Sequence, residues 1–276
     1  MNKSLKFKQL ILKHQGTILP VANNVLEAVL IEKAGFKCFG IGGFGISASQ
    51  YGYLDNGHIG LKQIAQAVAT ITPVVNIPCL VDADTGYGGP QKVIHTIKTI
   101  KRAGAAAIFI EDQVWPKKCG HLNGKKVIPI NKMKLKIKAA LKARQDKNLV
   151  IMARTDSGQT HGINKAISRA ISYYQTGADI VWVEAPQTIK EIKLISQKLK
   201  NIPKMINLIE GGKTPLMSQK QLKNLGFNLI SYPLTTLLSN VKITQQVLKN
   251  LKQKGTTKNI LTKLYLFKDL RKILKS

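Results

Sequence analysis

The sequence predicts a (β/α)8 barrel, an α/β fold of the TIM type in which a ring of parallel strands is wrapped by helices. Three observations carry that expectation. Short apolar runs recur eight times between residues 17 and 232, separated mainly by segments of helical spacing. These runs are continuous rather than alternating, as strands covered on both faces are. Ionisable residues stand at the C-terminal ends of several runs, where a barrel of this kind assembles its site from top-face loops. A length of 276 residues fits one such barrel, because examples near about 250 residues are ordinary. The span 1–276 therefore reads as a single barrel domain, with 236–276 as a C-terminal helical segment.

The elements follow in order. TILPVA, residues 17–22, is a strand, and NNVLEAVLIEKAG is a helix with asparagine at its N-cap and a stop at Gly35. CFGIGG, residues 38–43, is the second strand; its glycines run on into GGFGISASQYGYLDNGHIG, whose backbone amides have room to approach a carboxylate. Residues 61–71 are helical, and VVNIPCLVDADTGYGG ends an apolar run in Asp82 and Asp84. Positions i and i+2 of a strand share a face, so the two carboxylates are expected to project together. Such a pair at a glycine-rich turn suits a hard divalent cation that keeps several waters, as Mg²⁺ does; loop-capping aspartates are the ordinary alternative.

Residues 90–102 form the next helix, and AAIFIED is a strand that runs into Glu111 and Asp112. The polar loop that follows places Cys119 after Lys117 and Lys118 and before Gly120 and His121. A free thiol has a pKa of about 8.5, and neighbouring cations bring it toward neutrality; a buried packing cysteine is the alternative. Helix 131–144 leads to NLVIMARTDS, in which Arg154 and Asp156 share a face, as a carboxylate-binding guanidinium held by an acid would, or as a structural ion pair would. INKAISRAISYYQTG is a helix, ADIVWVEAP a strand ending at Glu184, and TIKEIKLISQKLK a helix. PKMINLIEGGKTP supplies a strand with Asn207 and Glu210, a short helix lies near 217–225, and FNLISYPL is the eighth strand, ending at Tyr232. The lysine-rich, amphipathic stretch 236–274 is expected to give the last barrel helix and an extra helix that packs on another subunit.

Composition narrows the function. The net charge is +29, yet only five of 43 basic residues are arginine and the lysines run from Lys3 to Lys275. Sequence-specific readers of nucleic acid favour the arginine fork, so no specific nucleic-acid partner is expected. Eight lysines between Lys117 and Lys138 overlap the cysteine loop and would attract an anionic substrate. The fourteen acids are more telling, since Asp55, Asp82, Asp84, Glu111, Asp112, Asp156, Glu184 and Glu210 sit at or just after apolar runs. No apolar stretch is long enough to span a membrane, and the first residues lack a long apolar signal core; the expected location is cytoplasmic. Cys38, Cys79 and Cys119 are odd in number and far apart, which argues against a disulfide framework or a cysteine zinc site.

Taken together, VDADTGYGG, IEDQ followed by KKCGH, ARTD, WVEAP and NLIEGGKTP, spread in that order over residues 17–260, resemble the isocitrate lyase and phosphoenolpyruvate mutase superfamily, and within it the methylisocitrate lyase-like carbon-carbon lyases. The resemblance implies a Mg²⁺-dependent barrel, with Mn²⁺ as a substitute, assembled as a homotetramer whose subunits exchange a C-terminal helix. It implies a small carboxylate substrate, a 2-oxo or 2-hydroxy acid. By the same resemblance Asp82 and Asp84 form the metal pair, with Asp55 and Glu111 acting through water. Gly42, Gly43, Gly120 and Asn207 contact substrate, and Arg154 and Glu184 belong with His121 and Cys119 to the catalytic group. Cys119 is then the acid/base, on a mobile loop that closes over the site, and KKCGH favours carbon-carbon cleavage into pyruvate or a related oxo acid plus a dicarboxylate. Two features depart from the methylisocitrate lyase pattern: no arginine stands at Leu238 or Phe267, and Gly42 replaces a serine. Dimethylmalate cleavage, hydrolysis or decarboxylation of oxaloacetate, and a phosphonomutase reaction therefore stay open.

Overall fold

The structure, a computed structural model, describes residues 2–13 and 15–274. The outer ends of the expected domain and of its helical tail, Met1, Lys275 and Ser276, and also His14, lie outside the described residues. Eight parallel strands, β1 (Thr17–Pro20), β2 (Phe39–Ile41), β3 (Cys79–Asp82), β4 (Ala107–Glu111), β5 (Val150–Thr155), β6 (Ile180–Val183), β7 (Lys204–Asn207) and β8 (Leu229–Tyr232), pair in the order β1-β8-β7-β6-β5-β4-β3-β2. A parallel bridge between Val21 and Gly40 joins β1 to β2 and closes the ring.

Strand parity divides the core in two, because successive side chains point to opposite faces. Leu19, Leu80, Ala107, Phe109, Val150, Met152, Ile180, Trp182, Met205 and Leu229 fill the inside of the ring. The alternate residues, among them Ile41, Val81, Ile108, Ile110, Ile151, Val181, Ile206 and Ile230, pack outward against helices such as Leu61–Ile71, Pro90–Arg102, Ile130–Arg144 and Ile163–Gln175. The expected helices appear at or within a residue or two of their expected limits, and Asn24 caps Val25–Lys33 by accepting from Glu27 N.

Three parts of the fold differ from the expectation. A helix Lys3–Leu12, not expected from the sequence, lays Phe7 and Ile11 against the interior cluster, each burial contributing roughly 1.5–3 kcal/mol. The glycine-rich stretch after β2 is a short helix, Gly43–Ile46, running into a π-helix, Ser47–Tyr51. Asp84 lies beyond the end of β3 with φ at 47°, so a turn, and not the strand pleat, brings it beside Asp82. Helix Thr235–Lys254 buries none of its residues, and Phe267 begins a further helix, Phe267–Ile273.

Candidate active site

Each polar side chain at the mouth of the ring continues the inward row of its strand by two residues. Leu80 is followed by Asp82, Phe109 by Glu111, Met152 by Arg154, Trp182 by Glu184, Met205 by Asn207 and Leu229 by Ser231. The apolar interior therefore forms the floor of a pocket whose wall is polar. Gly40 of β2 and Gly42 just beyond it take this place on the second strand, leaving the side chains of Leu19 and Val21 close to the backbone at Gly40.

Three carboxylates converge beside Gly43, two from the end of β3 and its turn and one from the loop before helix Leu61–Ile71. A Cβ there would meet Asp82 Oδ2 at 3.2 Å, Asp84 Oδ1 at 3.5 Å and Asp55 Oδ1 at 3.6 Å, so only glycine leaves this space open to a cation. Gly43 N donates to Asp82 Oδ2 at 3.1 Å, and Asp84 N donates to Asp82 Oδ1 at 2.9 Å. Into this cluster the loop after β4 inserts the ammonium of Lys117, 2.5 Å from Asp55 Oδ1 and 2.6 Å from Asp84 Oδ1. Lys117 and Lys125 are buried. That corrects the expectation that the loop lysines present their charge outward to an anion; Lys118 and Lys126 do so.

Arg154 is the hub of the opposite wall. Its Nε and Nη2 donate to Asp156 Oδ2 and Oδ1 at 2.8 and 2.9 Å, the bidentate geometry that holds a guanidinium plane. It also lies 3.4 Å from both Glu111 Oε2 and Glu184 Oε1, with its guanidinium 4.4 Å from the centre of the Trp182 ring. Gly120 passes so close that a Cβ would overlap Glu184 Oε1 and Arg154 Nη2. The loop thus rests directly on the arginine-glutamate pair, with Cys119 lining the pocket. His121 Nε2 is 3.6 Å from Glu184 Oε1.

Electrostatics in the site follow from burial. Among the described residues the buried carboxylates Asp55, Asp82, Asp84, Glu111, Asp156 and Glu184 face the buried cations Lys117, Lys125 and Arg154, leaving negative charge in excess. Burial, reinforced by Asp84, pushes Asp82 up to about 6, and burial, opposed by Arg154, pushes Glu184 up to about 7. Glu111 is raised well above the usual range by burial. Burial works against Asp156 too, but the charge of Arg154 and its hydrogen bonds hold that carboxyl below the usual range. The imidazole of His121 is pushed down to about 4, by burial and then by Arg154 and Lys125, and is neutral. The thiol of Cys119 is pushed up to about 11, first by burial, with Asp55 and Glu184 adding to it. That runs against the sequence-based expectation of a thiol brought toward neutrality, because burial and the neighbouring acids outweigh the loop cations, of which Lys117 and Lys125 are paired with acids.

Glu111 Oε1, Glu184 Oε2, Asn207 Oδ1 and His121 Nε2 are buried without a hydrogen-bond partner among the described residues. They are the atoms left for a ligand, since buried polar groups are otherwise almost always paired. No three His, Cys, Asp or Glu side chains among the described residues form a complete metal cage. A cation that retains most of its waters needs no cage, and the oxygens of Asp82, Asp84 and Asp55, with the excess negative charge around them, fit one.

The arrangement has counterparts among known proteins. Residues 7–252 match the family model described as phosphoenolpyruvate phosphomutase. The chain belongs to the phosphoenolpyruvate mutase and isocitrate lyase superfamily. Within the superfamily, 2-methylisocitrate lyase of Aeropyrum pernix is 41% identical over 261 residues, covering 95% of this chain and 83% of that relative. The 2,3-dimethylmalate lyase of Eubacterium barkeri is 33% identical over 99% of this chain and 94% of its own length. A solved structure of 2,3-dimethylmalate lyase superposes with a TM-score of 0.93 at 31% identity, covering 99% of this chain and 91% of that one. One of oxaloacetate acetylhydrolase with 3,3-difluorooxalacetate gives 0.92 at 27% identity, covering 99% and 93%. These relatives include named lyases of the superfamily.

The structure brings Asp55, Asp82, Asp84, Glu111, Cys119, Gly120, His121, Arg154, Glu184, Asn207, Gly42 and Gly43 to one end of the barrel. It separates Asp112 from them. That carboxylate points outward, accepting from Thr155 Oγ1, Asp156 N, Arg169 Nη1 and Tyr173 OH. Glu210 pairs with Thr235 Oγ1 instead of entering the pocket. Sequence reasoning passed over Ser231 and Trp182, both of which line the pocket; counting in twos along β6 and β8 from the interior residues finds them. It also passed over Lys213 and Gln159, for which no periodic signal exists.

Proposed function

We propose that the protein cleaves a carbon-carbon bond of a small 2-hydroxydicarboxylate that bears alkyl groups, releasing an oxo acid and a second carboxylate. The observation that carries this reading is the placement of the Cys119 thiol, pushed up to about 11 by burial, at a pocket lined by the carboxylate cluster and Arg154. Asp82 and Asp84, with Asp55 and Glu111 around them, would hold a divalent ion, which would supply the positive charge that favours ionisation of the substrate hydroxyl. Arg154, locked by Asp156, binds a carboxylate and stabilises charge that develops beside it. The hydroxyl proton passes to a carboxylate of the cluster, the hydroxyl-bearing carbon becomes a carbonyl, and the electrons of the broken bond move onto the departing carbon. Cys119 donates its proton there. Neutral His121, Gly120 and Asn207 position the substrate, and the loop excludes water from the carbanion.

Alkyl substitution, rather than a third carboxylate, is favoured by the pocket wall. Phe44, Ile209, Pro233 and Leu234 line it, and Leu238 and Phe267, where a tricarboxylate reading would want arginine, are exposed apolar residues. The test is a panel of 2-hydroxy acids that includes dimethylmalate, methylisocitrate and oxaloacetate, assayed with Mg²⁺ for oxo-acid release. Release of pyruvate or a related oxo acid from an alkylated malate supports the reading. Oxalate from oxaloacetate, or a phosphonate rearrangement with no cleavage of any hydroxy acid, would replace it.

A further inference from the structure

We propose that Lys213 is a positioning residue that pins the loop carrying Cys119 over the site and selects the tautomer of His121. Lys213 follows β7, on a different part of the rim from that loop. Its backbone N–H donates to His121 Nδ1 at 2.9 Å. A ring nitrogen that accepts a hydrogen bond carries no proton, so the neutral imidazole is protonated on Nε2, the atom that faces Glu184 Oε1. The Lys213 side chain reaches in the other direction. Its Nζ donates to Asn123 Oδ1 on the same loop and to Gln159 Oε1 at 3.0 Å, and Gln159 Nε2 in turn donates to Gly120 O at 3.0 Å.

Residues after β4, β5 and β7 are tied together by these bonds, and they bracket Cys119 on its C-terminal side. Apolar burial does not do this work, since Leu122 at the outer edge of the loop is 48% exposed and Asn123 and Gly124 are exposed as well. The hold on this edge is polar and centres on one ammonium. Lys125 supports Gly120 O from within, but its charge is directed to Asp156, 3.7 Å away, and does not link the loop to β7. Removing the Lys213 ammonium therefore loosens the loop edge, by cutting the links to Asn123 and Gln159, while leaving the pocket walls and the backbone bond to His121 as they are.

The experiment reads loop opening through the thiol, without substrate. Cys38 and Cys79 are buried at the other end of the barrel and should react slowly, so the fast phase of labelling by an aromatic disulfide is assigned to Cys119; Cys119→Ser supplies the blank. Lys213→Met is expected to label about tenfold faster or more than wild type, a factor that corresponds to about 1.4 kcal/mol. Lys213→Arg should restore slow labelling, and tryptic cleavage after Lys118 and Lys126 should accelerate in parallel with labelling. Gln159→Leu tests the same tie from its other end if the lysine variant folds poorly. With a working substrate, kcat should fall more than KM changes, because the loop completes the site after binding. The role in turnover rests on the lyase reading, whereas labelling does not. Fast labelling with no lyase activity on any substrate leaves the pin standing and removes the lyase reading. Wild-type labelling rates in both folded Lys213→Met and Gln159→Leu overturn the pin, whatever their activity.

Discussion

Lys117 Nζ lies 2.6 Å from Asp84 Oδ1, inside the carboxylate cluster proposed to hold a divalent ion. Two cations drawn to the same oxygens compete, and like charges at this range disfavour one another strongly. Lys117→Met should therefore bind Mg²⁺ several-fold more tightly than wild type in titration calorimetry of the substrate-free protein, and Asp84→Asn more weakly. Equal or weaker binding by Lys117→Met would show that the ammonium supports the metal and does not oppose it.

Cys119 is expected to act as an acid and to contribute little to folding. Cys119→Ser should leave the thermal midpoint nearly unchanged and lower turnover by roughly 10² to 10⁴, the usual worth of a positioned acid. The pH profile follows from the sign of its shift. A thiol raised to about 11 is protonated at neutral pH and loses its proton only as pH approaches 11, so the limb attributable to Cys119 lies at high alkaline pH. A thiol-dependent limb between pH 6 and 8, absent from Cys119→Ser, would contradict this.

Asp112, which sequence alone groups with the site acids, is structural. Four donors meet its two oxygens, including the Arg169 guanidinium at 3.0 Å. Asp112→Asn should cost about 3–5 kcal/mol, the usual effect of breaking a buried pair, read as a lowered denaturation midpoint with Mg²⁺ affinity retained. A variant of unchanged stability that no longer binds Mg²⁺ would move Asp112 into the site.

Lys204 is a buried cation at the start of β7, whose ammonium donates to the Leu199 carbonyl at 3.1 Å and lies 5.7 Å from the Phe227 ring, with no acid paired to it among the described residues. Burial lowers its pKa from 10.5 to about 8. Between these two values the unfolded chain binds more protons than the folded one, so stability rises with pH through that window. Lys204→Met should be more stable than wild type at pH 7 by about 1–3 kcal/mol, and the difference should shrink as pH rises from 8 to 10.5. Chemical denaturation at several pH values checks both the sign and the window.

The C-terminal region is expected to be an assembly surface, as in a homotetramer. Helix Thr235–Lys254 buries none of its residues, and Leu238, Val241, Leu248 and Leu251 recur at helical spacing on one exposed side, ahead of exposed Tyr265, Leu266 and Phe267. Wild type should sediment as an oligomer, and Leu248→Lys with Leu251→Lys should sediment as a smaller species. A monomeric wild type at micromolar concentration would remove the assembly from this account.

Much of the site was readable before the fold was known, because a barrel strand obeys a period of two and ends at the face where chemistry occurs. Arg154 and Asp156 illustrate this: their spacing predicts a shared face, and they form a bidentate pair. Asp82 and Asp84 came out as a pair for a different reason, since Asp84 is placed by a left-handed turn that no alternation encodes. The N-terminal helix was missed because its burial depends on the barrel end it covers, with Phe7 and Ile11 as its buried contacts.

The sequence by itself determined the class of fold, the order of its elements and the residue types at the barrel mouth, since continuous apolar runs and their terminal acids are local properties of the chain. It also determined the resemblance that names the superfamily. Only the tertiary structure decided which acids face the pocket and which, like Asp112, face the helices, because that choice is made by strand parity relative to a closed ring. It alone decided that Lys117 is buried among carboxylates, that Cys119 holds its proton and that Lys213 meets His121 across the rim. Those properties depend on desolvation and on charges brought together from distant parts of the chain, and neither is a function of spacing along it.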